Sequence, residues 1–372
     1  MSRRRTYLDW NATAPLRPEA RAACVAALDV LGNPSSPHAE GRQARAMIEE
    51  AREHVAALVG AKPAEVVFTS GGTEANNTVL RAGWDAIVLS GIEHDSVLAP
   101  ARAAKAQVKY LPVDSDGVVA ADFPTLAPNA RTLLSLQVAN NETGVVQPVA
   151  QAAAAARELG YYVHTDAVQA AGRIPVDLNA LGVDFLSLSA HKIGGPKGVG
   201  ALVISERATL PAFIAGGGQE RRRRAGTENV AAIAGFGAAA EAAHRGLAEM
   251  SRVAALRDSL EQQVRAITPD AVIIGADAER LPNTTNIALA GMSAETLVIS
   301  FDLTGVAVSA GAACSSGKVG VSHVLQAMGV APSLARSAIR VSLGWSSTDR
   351  DVTALIEAWG RIAARHRERA VA

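Results

Sequence analysis

Three short stretches hold residues whose types and spacing could do chemistry. In "TSGGTEANN" (residues 69–77) a β-rich run ends, two glycines turn the chain, and Thr73 opens a helical pattern. Backbone N–H groups bared by glycines at a helix N-terminus can cradle a phosphate, although a plain glycine turn capped by Thr73 would read the same way. No Gly-Lys-Ser/Thr follows, which excludes a Walker loop. In "HTDAVQ" (164–169) Asp166 ends an apolar run, where a carboxylate is costly unless it faces a cation, forms an ion pair or caps a helix. In "SLSAHKIGGPKG" (187–198) Lys192 follows a strand pattern and precedes two glycines. A loop lysine is ordinarily solvated surface, yet this chain has 6 lysines against 30 arginines, and only lysine can lose its proton and form a Schiff base. A phosphate cradle, an acid for a pyridinium nitrogen and a Schiff-base lysine together describe a site for pyridoxal 5'-phosphate.

A fourth stretch, "SAGAACSSGK" (309–318), sets Cys314 among glycine, alanine and serine, neighbours that offer a thiol little apolar cover. Such a composition predicts a loosely packed loop, in which a thiol can take one position to react and another to be displayed. The second cysteine, Cys24, lies in the helical pattern "EARAACVAALDVL" and reads as a small core residue.

These residues need elements to hold them. From about residue 60 to 250 short apolar runs alternate with helical patterns: "EVVFTS", "AIVLS", "VKYLPV", "TLLSLQVA", "YYVHTDA", "FLSLSA" and "GALVIS" are strand candidates. "PVAQAAAAARELG" is a helix with Pro148 in its first turn and Gly160 as its cap. That alternation predicts an α/β domain with a mostly parallel sheet, whose ligands bind beyond the strand ends. After residue 250 come the amphipathic helix "SRVAALRDSLEQQVRAI" and the strands "AVIIGA", "TTNIALA", "GVAVSA" and "IRVSLGW", a smaller α+β domain. The predicted division is 13–250 for the large domain, with 1–12 and 251–372 forming the small one.

Composition narrows the function classes. Acidic and basic residues balance at 36 each, so the chain has no general attraction for nucleic acid or an anionic membrane. The start "MSRRRTYLDW" lacks the apolar stretch of a signal peptide, and no run of about 20 apolar residues follows, which predicts a cytoplasmic protein. Two cysteines exclude a disulfide scaffold, and without a Cys-x-x-Cys pair or ligand-spaced histidines no metal site is expected.

The ordered segments "YLDWNATAP", "GNPSSPHAEGR", "TSGGTEANN", "EHDSV", "NNETGVVQP", "HTDAVQAAG", "SAHKIGGPKG", "GGGQERRRRAGTEN" and "AGAACSSG" resemble the cysteine desulfurases of the class V aminotransferase family over nearly the full length. The resemblance implies the fold of the type I pyridoxal-phosphate-dependent transferases. It implies Lys192 as the Schiff-base lysine, Asp166 as the pyridinium partner, and His94 stacked on the ring and moving a proton. Gln169 and Asn141 would meet the cofactor's phenolic oxygen or the substrate, and Gly72, Thr73, Ser189 and His191 match the phosphate-binding set. Thr227 matches a residue that reaches the neighbouring subunit's phosphate, which implies a homodimer with shared sites. Arg340 would take the substrate carboxylate, with Asn33 nearby, and Cys314 would accept the sulfur of L-cysteine as a persulfide, leaving alanine.

The span between the Cys314 stretch and "HVLQAMG" resembles the subgroup with the longer cysteine loop, suited to a protein sulfur acceptor such as an iron–sulfur scaffold. The ending "RHRERAVA" does not resemble the extended segment through which housekeeping members engage that scaffold, and the acceptor stays open. The run Arg221–Arg224 reads as a solvated cluster near a dimer interface or as a docking face for an acidic partner. Alternatives on the same cofactor are a selenocysteine lyase, an aminotransferase or a β-lyase. A non-catalytic assembly platform fits poorly with so complete a set of reactive residues.

Overall fold

The computed structural model describes residues 5–371 apart from 125, 128 and 312–320. Its centre is a seven-stranded sheet in the spatial order Val66–Thr69, Gly200–Ile204, Phe185–Ser189, Tyr162–Asp166, Thr132–Ser135, Ala86–Ser90, Gln107–Leu111. Six of these strands share one direction, and only Gly200–Ile204 runs against its neighbours. Five strands are buried at every position, which is why they read as continuous apolar runs rather than as alternating ones. Helices cover both faces. Val55, Phe236 and Ala239 pack on one side with Val88, Leu134, Val163 and Leu186, whereas Val79, Val97 and Leu98 pack on the other with Ile87, Leu133 and Phe185.

The helix Val149–Glu158 starts one residue later than its proline suggests: Pro148 is the N-cap, and Gly160, at φ 74°, follows the C-cap Leu159. The run "GVAVSA", expected as one strand, splits in two. Val306–Ala307 pairs in parallel with Thr6–Tyr7, while Ser309–Ala310 joins an antiparallel sheet in the order Ser309–Ala310, Ala338–Ser342, Thr284–Ala288, Val272–Ile273. A separate core lies behind that sheet. It gathers Leu8 from the N-terminus with Val253, Leu260 and Val264 of the helix Met250–Ile267, and with Leu355 and Trp359 of the helix Asp349–Val371. Among the described residues, no helix is long and apolar enough to cross a membrane.

Candidate active site

Five of the six parallel strands end in polar residues. Thr69, Ser90, Ser135, Asp166 and Ser189 stand at their carboxyl ends, and the segments that follow converge on one cavity of about 230 Å³. Gly72, Thr73, His94, Asn141, Asp166, Gln169, Ser189, His191 and Lys192 line it, which brings nine of the expected site residues together. Asn76, Ser96, Gln137, Ala139 and Val168 complete the wall.

At one end the helix Gly72–Leu80 presents its N-terminus. A side chain at position 72 would put its Cβ 2.8 Å from Val168 Cγ2 and 3.5 Å from Ser189 Cβ, so glycine is what lets helix, strand end and loop meet here. The unpaired N–H groups of that first turn, together with the Ser189 and His191 side chains, form a donor set suited to a phosphate. Burial pushes the His191 pKa down to about 4, with Lys192 and Lys197 adding to the effect, so this imidazole is neutral near pH 7.

Deeper in, Asp166 is 8% exposed. Its Oδ1 accepts from the Val168 N–H at 2.9 Å and its Oδ2 from the Asn76 side chain at 2.7 Å. A buried carboxylate that accepts from these two neutral donors suits a cationic ring nitrogen. The Lys192 Nζ donates to the backbone carbonyl of Asn11 and, at 2.9 Å, to that of Ala12. His94 caps the helix Asp95–Ala103, its Nδ1 accepting the Ser96 N–H at 3.1 Å. Burial lowers the His94 pKa; Asp166 opposes that shift and Lys192 reinforces it.

Asn11 ties these parts together and carries no assignment from the sequence. Its carbonyl accepts from Lys192 and from Gln169 at 3.1 Å, while its amide donates to the Asn141 carbonyl at 3.1 Å and to Thr284 Oγ1 at 2.9 Å. Its place in "YLDWNATAP", far from the sheet in sequence, hid this role. Glu93, next to His94, is fully buried, and burial drives its pKa to about 8 against the Gln137 N–H and the Ser90 hydroxyl.

Three expected residues stand elsewhere. Arg340 is 3% exposed and is not on the cavity wall; it holds Asp9 Oδ1 at 2.7 Å and the Asn141 carbonyl at 3.0 Å, and its buried Nε has no hydrogen-bond partner among the described residues. Asn33 is exposed and closes a turn onto the Ser35 N–H at 2.9 Å. Thr227 is exposed beside a second cavity of about 210 Å³ that Ser70, Arg224 and Glu228 also line. Cys314 lies outside the described residues. Cys24 is half-buried with its thiol pKa raised by burial, and a Cβ on Gly235 would meet its Sγ at 2.2 Å, so it is packed against a neighbouring helix.

A doubly wound sheet with a lysine, an aspartate and a helix N-terminus around one strand-end cavity defines a class of enzyme, and the family model for aminotransferase class-V matches residues 6–355. The chain belongs to that family. It is 43% identical over 373 residues to the protein named cysteine desulfurase IscS from Dictyoglomus turgidum, covering 97% of this chain and 95% of that one. Among solved structures, a NifS-like protein from Rickettsia africae superposes with a TM-score of 0.89 at 36% identity, over 97% of this chain and 99% of its own. A structure described as SspA in complex with cysteine matches at 0.79 and 30% identity, over 91% and 98%.

Proposed function

We propose that this chain is a pyridoxal-phosphate-dependent cysteine desulfurase that converts L-cysteine to L-alanine and carries the released sulfur on Cys314. The observation that carries the reading is the single cavity uniting Lys192, Asp166, His94 and the Gly72–Thr73 helix start. The residues fit the cofactor: the donor-lined end suits its phosphate, and the Asn76-held Asp166 suits its ring nitrogen. When bound, pyridoxal phosphate supplies an electron sink attached to the substrate's amino group. Its retention falls to Gly72, Thr73, Ser189 and His191 at the phosphate, Asp166 at the ring nitrogen, Gln169 and Asn141 at the phenolic side and Lys192 at the carbonyl carbon.

The remaining work belongs to the chain's own groups. Lys192 would serve as the base at the substrate Cα, and His94, on the same cavity wall, would exchange a proton there. Arg340 is the cation for the substrate carboxylate; its buried Nε has no partner among the described residues, and its tie to Asp9 would have to yield. The Cys314 thiolate attacks the substrate sulfur: the Cβ–S bond breaks, an S–S bond forms, and the carbon keeps the electron pair and takes up a proton to become alanine's methyl group. No outside oxidant is needed. Asn33 is kept as a substrate-side residue and Thr227 as a donor to the phosphate of a neighbouring subunit in a homodimer, in line with its exposed place outside this cavity. The domain division 13–250 against 1–12 with 251–372 is supported by the packing of Leu8 into the C-terminal core. A protein acceptor takes the persulfide sulfur, and the cytoplasm is the compartment.

The test is to incubate the holoenzyme with L-cysteine and a reductant and to measure alanine and sulfide, repeating with L-selenocysteine and with a keto acid. Equal alanine and sulfide, abolished by Lys192→Ala, is the expected result. Alanine from selenocysteine alone, or amino transfer to the keto acid without sulfide, would replace the reading with one of its relatives.

A further inference from the structure

Two cavity-wall residues outside the set just assigned form a hydrogen-bonded path between Asp166 and His94. The Asn76 side-chain amide donates both its hydrogens, one to Asp166 Oδ2 at 2.7 Å and one to Ser96 Oγ at 2.8 Å. The acceptor-only carboxylate fixes which way that amide faces, because a reversed amide would set oxygen against oxygen. Ser96 Oγ, having received a hydrogen from Asn76, has its own to give, and the atom in reach is His94 Nδ1 at 2.7 Å. The same Nδ1 accepts the Ser96 backbone N–H at 3.1 Å. Two donors on Nδ1 require a lone pair there, so the single hydrogen of a neutral imidazole must sit on Nε2. Among the described residues, none hydrogen-bonds Nε2.

We propose that Asn76 and Ser96 are positioning residues which hold His94 as the Nε2–H tautomer, presenting a proton donor rather than a base to the cavity. Asn76 thereby couples the residue assigned to the cofactor's ring nitrogen to the residue assigned to its face. The groups that bear on this imidazole come from four directions: Asp166 at the end of its strand, Lys192 after Phe185–Ser189, Asp95 on the histidine's own helix, and His323, whose ring bonds the Glu93 carbonyl at 3.0 Å. A hydroxyl that donates to Nδ1 favours the neutral ring, so losing it moves the His94 titration upward. Removing the Asn76 amide acts in the same direction, because the Asp166 carboxylate loses a donor and its charge, which favours the protonated His94, is less compensated.

The inference rests on the roles given to His94 and Asp166, and its test does not depend on turnover. Apoprotein labelled with nitrogen-15 histidine is titrated by NMR, with the His94 signals found by their loss in His94→Asn. The expected result is an unprotonated Nδ1 in the wild type, a rise in the His94 pKa in Ser96→Ala and Asn76→Ala, and a wild-type titration in Ser96→Thr, which keeps the hydroxyl. In holoenzyme the same two alanine variants should lower kcat for alanine formation about tenfold with little change in KM, and shift the acid limb of the kcat profile upward. A proton on Nδ1 in the wild type, or titrations in both alanine variants that match the wild type, would overturn the proposal. A positive NMR result with an enzyme that makes no alanine would leave the relay standing and remove the desulfurase reading instead.

Discussion

At the scale of single residues, burial decides the protonation states around the cavity. Glu93 shows this most simply. Its carboxyl, ordinarily at 4.5, titrates near 8 in the folded chain, so the native state keeps a proton that the unfolded chain has released. Stability attached to that proton is complete below pH 4.5 and is lost as pH rises toward 8. Glu93→Gln removes the titration while keeping an acceptor for Ser90 and Gln137. The variant's urea midpoint should therefore gain on that of the wild type between pH 5 and pH 9, both taken as apoprotein; an equal difference at the two pH values would mean that Glu93 is ionised throughout. His164 has the opposite sign. Clamped between Ser135 Oγ at 2.8 Å and Ser187 Oγ at 3.0 Å, it is held by burial near a pKa of 3, and its neutral form costs stability as pH falls below 6.5. Asp166 and Lys192 stood out in the sequence because one ends an apolar strand and the other lies three residues past the next, whereas the role of His94 came from the family resemblance. Asn76 and Ser96 did not stand out, since a polar residue on a helix gives no sign of the partner it meets across 20 or 90 positions.

At the scale of elements, the segment 216–229 depends on one buried pair. Glu220, Arg221 and Arg222 adopt φ of 44°, 56° and 64°, left-handed conformations that cost about 1–2 kcal/mol per residue outside glycine. Arg52 opposes this cost. It is 1% exposed and makes two 2.8 Å bonds to the Glu220 carboxylate, which also accepts the Phe68 N–H at 2.8 Å. Arg52→Met leaves that carboxylate buried and unpaired, and urea unfolding should show a loss of about 3–5 kcal/mol. Adding Glu220→Gln should recover part of it, because the amide oxygen still accepts from Phe68. A loss well below 1 kcal/mol would mean that water or a neighbouring segment replaces Arg52. The basic run itself is only partly solvated: Arg224 pairs with Glu74 at 3.0 Å, and Arg221 donates to the Ala64 carbonyl at 2.8 Å. The strands were legible as apolar runs, but the reversed direction of Gly200–Ile204 was not, because an apolar run reads alike both ways.

At the scale of the whole molecule, the sequence resemblance supplied the family, and the fold explains how residues as distant as Asn11 and Lys192 share one site. Arg340 shows the limit of position-by-position transfer. The resemblance gives its role, whereas its tie to Asp9 follows from a pairing between the N-terminus and the strand Ala338–Ser342 that no local pattern signals. The exposed Thr227 is proposed to reach the phosphate of a neighbouring subunit. If it serves a neighbouring subunit, sedimentation should give a dimer, and Thr227→Ala should weaken cofactor retention about tenfold while leaving the dimer intact, the loss expected for one hydrogen bond to a charged phosphate. Unchanged retention would remove Thr227 from the site. The account's central claim is that sulfur leaves the substrate for Cys314. The most direct measurement is the mass of the holoenzyme's peptides after brief exposure to L-cysteine without reductant, with free thiols and persulfides blocked. The account predicts one added sulfur atom on the peptide carrying Cys314, none on the peptide carrying Cys24, and alanine in equal amount. Alanine formed with no sulfur on Cys314, or sulfur found on Cys24, would contradict it.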